Sequence, residues 1–121
     1  MLAADPGVEE ATWSRFAAEL AAHLEADEMV FHPAVERALT RPLVPQRELY
    51  DRMRRVLVRI AGAGRGRAHR SEWLRELRGA FQEHARFEEG VALPALESVL
   101  GEQALDDLWG KLRAARDRSA S

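Results

Sequence analysis

The chain has 121 residues, 46% of them hydrophobic, with a formal net charge of -2 and no cysteine. That length suits a single domain that closes its own core, and the missing cysteine excludes disulfides, thiolate nucleophiles and thiolate-held metals. Histidine and carboxylate are left as the strong ligand types. The opening MLAADPGVEE lacks the basic head and apolar run of a targeting segment, and no window reaches the ~20 apolar residues of a membrane span, so a cytoplasmic protein is expected.

Apolar residues recur at helical spacing through most of the chain, which predicts an all-α fold of four helices. The first is expected from about Pro6 to Leu39, with Asp5 as cap, Pro6 in the first turn and Pro33 as a kink or interruption. Its stripe of Phe16, Leu20, His23, Asp27, Val30 and Ala34 places an imidazole and a carboxylate on the apolar side, where each needs a partner. The second helix, about Pro45 to Ala61, buries Leu49, Met53, Val56 and Ile60. The connector 62–67, GAGRGR, follows. No strand precedes it, so it is read as a flexible link and not as a phosphate loop. The third helix, about Ala68 to Val99, carries Leu74, Leu77, Phe81, His84, Glu88, Val91 and Ala95 on one side. The fourth, from Glu102 to about Arg116, offers Leu105, Leu108, Trp109 and Leu112.

Charge is unevenly spread: residues 1–40 hold eight acids against two arginines, and 47–78 hold ten arginines against four acids. Aromatic residues do not interleave with the basic run as a single-strand stacking platform would need, only Tyr50 and Trp73 falling within it, which argues against nucleic acid as a partner.

The first and third helices repeat one another. A shift of 61 residues lays HLEADEMVFHPAVERAL on HARFEEGVALPALESVL, pairing His23 with His84, Asp27 with Glu88, Glu28 with Glu89 and Pro33 with Pro94. Packed side by side, the two helices would bring both polar clusters to one level of a bundle. A shared cation would satisfy them together, as would an imidazole–carboxylate network with no ion. Five residues along an α-helix is about 140° of rotation, so Glu28 and Glu89 face the site only if the helices are distorted. His32 is read as a boundary side chain, His69 as solvated, and Tyr50 as interior packing with a satisfied hydroxyl, with ligation as a lesser possibility.

These segments resemble the hemerythrin-like HHE cation-binding domain, whose helices carry H-x3-E and H-x4-[DE] motifs followed by proline. The resemblance covers about residues 15–116. It implies an up-down four-helix bundle holding non-haem iron, mononuclear or di-iron, for dioxygen or another diatomic ligand, redox response, or iron sensing and binding. The ligands it implies are His23 and Asp27 on one helix, and His84 with Glu88 or Glu89 on the other. The family's earlier histidine-bearing helix has no counterpart here, and VPQRELYDRMRRVL lacks the histidine expected of the third ligand helix. The alternative is a metal-free helical module. In either case the missing helix would be replaced by residues 102–116 or by a second subunit, so a homodimer is expected. A dioxygen-activating enzyme is a third possibility for which no substrate pocket is defined.

Overall fold

A computed structural model describes residues 6–62 and 69–120. Helices α1 (Pro6–Ala26) and α2 (His32–Leu39) are joined without a break by a π-helical turn, π1 (Asp27–Phe31). Helix α3 (Val44–Ala61) follows. Then α4 (Arg70–Phe87), a second π turn, π2 (Glu88–Ala92), and α5 (Leu93–Val99) form another continuous rod, and α6 (Glu102–Ala120) ends the chain. The chain thus builds four rods, and among the described residues there is no strand. The expected cap Asp5, the start at Ala68 and most of the GAGRGR link lie outside the described residues.

The prolines neither break nor end their rods. Pro33 and Pro94 each sit two residues beyond a π turn, in the first turn of α2 and α5. A proline cannot donate to the ladder, and its ring collides with the carbonyl four residues back. The wider π turn accommodates both problems: the N–H of His32 bonds to the Asp27 carbonyl, and that of Leu93 to the Glu88 carbonyl, both across five residues. The rod ends instead at Thr40, which adopts the left-handed conformation at φ 57° while its N–H caps the Glu36 carbonyl.

Helix α3 packs against both α1 and α4, α6 packs on α1 and π1, and α2 meets α5. The apolar interior forms two clusters. One gathers Ala17 and Leu24 with Leu49, Met53, Val56 and Ile60 of α3 and Leu77 and Ala80 of α4. The other gathers Phe31, Val35, Ala92 and Leu96 with Leu108, Leu112 and Ala115 of α6. Every expected core residue of α3 is buried. Of the stripe expected for the first helix, Asp27 and Ala34 are buried and Leu20, His23 and Val30 are half-buried; only Phe16, 37% exposed, lies outside, and Ala17, Leu24 and Val35 join the interior beside it. Helix α6 covers the second cluster within the chain, which is one of the two covers expected from the sequence. No helix among the described residues is long and apolar enough to cross a membrane.

Candidate metal centre

Between the two apolar clusters, at the level of the π turns, lies a polar layer. The spacing of the repeat carries Asp27, the first residue of π1, and His84 from α4 into it, and both are buried. The Tyr50 side chain, fully buried on α3, reaches between them. Its O–H donates to Asp27 Oδ2 at 2.9 Å, and its oxygen lies 2.9 Å from His84 Nε2. Because the one hydroxyl proton goes to the carboxylate, the second contact is a hydrogen bond only if His84 carries its proton on Nε2. That same N–H points toward Glu88 Oε2, 3.3 Å away. His84 Nδ1 is then a buried lone pair with no hydrogen-bond partner among the described residues.

Two groups close the layer toward solvent. Arg116, from α6, places Nη2 3.2 Å from Asp27 Oδ1. His23 has a side chain 43% exposed, with Nε2 3.9 Å from Asp27 Oδ2. A cleft of about 360 Å³ opens here, lined by His23, Asp27, His84, Glu88 and Arg116 among others. The electrostatics follow from this layout. The hydrogen bond from His84 holds the Glu88 carboxyl below its usual range, against an opposing effect of burial. Burial, with the Asp27 charge and hydrogen bond behind it, pushes the Tyr50 phenol well above its ordinary value. Burial also lowers His23, although Asp27 pulls it up.

Of the five candidate ligands, the structure brings Asp27, His84 and Glu88 together and sets His23 at the mouth. Glu89 is exposed on the outer side of π2. Glu28 lies in the distorted turn, yet its carboxylate pairs with Arg54 of α3 instead of entering the layer. Tyr50 is interior with a satisfied hydroxyl, as expected, and its partners make it the hub of the layer. His32 corrects the reading as a boundary side chain: it is 2% exposed, its ring centroid is 4.5 Å from that of Tyr50, and neither ring nitrogen has a hydrogen-bond partner among the described residues. The signal that could have found it was the proline after it, which calls for a widened turn and so changes which residues share a face.

The donor chemistry suits a cation. Imidazole, carboxylate and phenol oxygen are ligands for iron, and orphaned ring nitrogens mark unused coordinating capacity. Among the described residues, however, no three His, Asp or Glu side chains already surround one point at a spacing that would hold an ion. The reason is visible in the contacts: the Tyr50 hydroxyl occupies the centre, and the Arg116 guanidinium already neutralises Asp27. Binding a cation therefore requires the Tyr50 hydroxyl and Arg116 to release the carboxylate. It also requires His84 to move its proton to Nδ1, because only an unprotonated Nε2 can donate a lone pair.

Comparison with known families matches residues 4–96 to the family model described as Hemerythrin HHE cation binding domain. Comparisons with curated proteins and with solved structures returned no match.

Proposed function

The chain belongs to the hemerythrin HHE cation-binding family, and on that premise we propose that its resident cation is non-haem iron, as one ion or a pair. The ligands in this reading are His23, Asp27, His84 and Glu88, with the Tyr50 oxygen as a further donor. Glu89 enters only if π2 rearranges, since its side chain faces outward. When bound, iron would supply reversible redox chemistry and an open position for dioxygen or another diatomic ligand. The observation that carries the proposal is the polar layer itself: a buried carboxylate and imidazole from two repeated helices, joined by a buried phenol and reached through an open cleft.

The chain's own residues have separable tasks. Asp27 is the anionic anchor, because it is buried at the centre of the layer, and Tyr50 and Arg116, which hold it in the absence of an ion, release it to the cation. His84 reports the state of the site through its tautomer. Glu88 and His23, both partly exposed at the mouth, are free to swing onto an arriving ion. The aromatic stack of Phe31 on Trp109, with ring centroids 6.1 Å apart, walls the cleft and restricts water. Because α6 supplies the cover over the second cluster, the reading does not depend on pairing of two chains.

A second reading has one observation in its favour. The contacts among Tyr50, Asp27, His84, Glu88 and Arg116 form a connected hydrogen-bond network without an ion, as a metal-free helical module would require. Anaerobic loading with Fe(II), followed by removal of free metal and exposure to air, separates the two. Retained iron with a ligand-to-metal absorption band supports the first reading, and a colourless protein that retains none supports the second.

A further inference from the structure

His32 is the one buried imidazole that neither reading uses. It is 2% exposed, both ring nitrogens lack hydrogen-bond partners among the described residues, and its ring lies against Tyr50. A neutral imidazole always carries one N–H, and leaving such a group buried and unpaired costs roughly 1–3 kcal/mol. Packing alone does not require it. In the second copy of the repeat the equivalent position is Leu93, which likewise stands one π turn beyond the acid of its motif. A leucine would therefore satisfy the fold at position 32 without an orphaned donor.

The π turn explains how His32 comes to face the centre. In a regular α-helix a residue five beyond Asp27 is rotated by about 140°, away from the carboxylate. The direct bond from the His32 N–H to the Asp27 carbonyl places His32 one wide turn above Asp27, on the same side of the rod. The ring centroids of His32 and His84 are 6.2 Å apart, with Tyr50 in contact with both rings. Two imidazoles on one ion, with metal–nitrogen bonds of about 2.1 Å, put their centroids roughly 5 Å apart. The observed separation exceeds that by about 1 Å, and the Tyr50 ring, which touches both imidazoles, carries the hydroxyl that a cation would displace from Asp27.

We infer that His32 is a further ligand of the cation, a third imidazole set one π turn beyond Asp27, with its ring centroid 6.2 Å from that of His84. This rests on the cation-binding reading above and extends its donor set. It also supplies the imidazole that α3 lacks, from a different element of the fold.

The test compares wild type, His32→Leu and a His23→Ala/His84→Ala variant, each titrated anaerobically with Fe(II) and separately loaded with Co(II) for paramagnetic NMR. Ligated imidazoles give hyperfine-shifted, exchangeable N–H resonances that can be counted. Wild type is expected to show three, and His32→Leu two, with Fe(II) affinity at least about tenfold weaker, the lower bound for loss of a group that supports a metal site. Metal-free His32→Leu should unfold no earlier than wild type. Iron binding that is abolished in the double variant but unchanged in His32→Leu, with two resonances in both wild type and His32→Leu, would overturn the inference and leave the cation reading standing. Wild type that takes up neither metal would overturn both. Should the leucine variant fail to fold, the wild-type count decides alone: three supports the inference and two refutes it.

Discussion

Tyr50 is the residue on which the polar layer turns, because its single hydroxyl engages a buried carboxylate and a buried imidazole at once. Tyr50→Phe removes the donor to Asp27 Oδ2 and leaves His84 Nε2 with Glu88 alone, so the metal-free protein should lose about 1–3 kcal/mol, read as a lower urea midpoint at unchanged m-value. His32 makes a separate prediction. Burial pushes its pKa from 6.5 down to about 4; the Asp27 and Glu36 charges pull it up, and His84 and Arg47 push it down. Between those values the unfolded chain binds a proton that the folded chain refuses, so stability falls as pH drops from 6.5 toward 4 and is flat in this respect above 6.5. The loss is at most about 3 kcal/mol, and His32→Leu should remove that part of the slope in urea melts of the metal-free protein across the range. The buried, satisfied Tyr50 hydroxyl was legible in the sequence; its partners and the burial of His32 were not. Tyr50 lies on a helix whose apolar stripe reads as ordinary core, and α-helical spacing turns His32 away from Asp27; only the π turn returns it.

At the scale of the elements, the rods were legible almost to the residue: 6–39 as expected, 44–61 for an expected 45–61, and 102–120 for an expected 102–116. Periodicity and the Gly101 and Pro45 punctuation carry those boundaries. What periodicity cannot show is a local change of pitch, so Pro33 reads as a kink or interruption where the chain instead widens into a π turn, as it does again before Pro94. The end of α2 is less well adapted. Thr40 is β-branched and left-handed, a conformation that costs a non-glycine residue about 1–2 kcal/mol, so Thr40→Gly should raise stability by about 1 kcal/mol in thermal or urea unfolding. Helix α6 is held by Leu108, Leu112 and Ala115, all buried in the second cluster. Leu112→Ala should cost about 2–4 kcal/mol, with faster amide exchange along α6 than along α3.

For the whole molecule, the repeat predicted that two polar clusters would share one level of the bundle, and Asp27, His84 and Glu88 do so between the two apolar clusters. The group that competes with a cation, Arg116, was not foreseeable, because it arrives from α6, beyond the segment that matches the family. An ion that binds only the folded chain stabilises it by about 2.7 kcal/mol at a hundred times its Kd, so Fe(II) should raise the unfolding midpoint of wild type and leave the His23→Ala/His84→Ala variant unmoved. Most direct is the iron content of each chain after anaerobic Fe(II) loading and removal of free metal. The account predicts one or two tightly held ions per wild-type chain and none in the double variant; wild type that retains no iron while folded and monodisperse would contradict it.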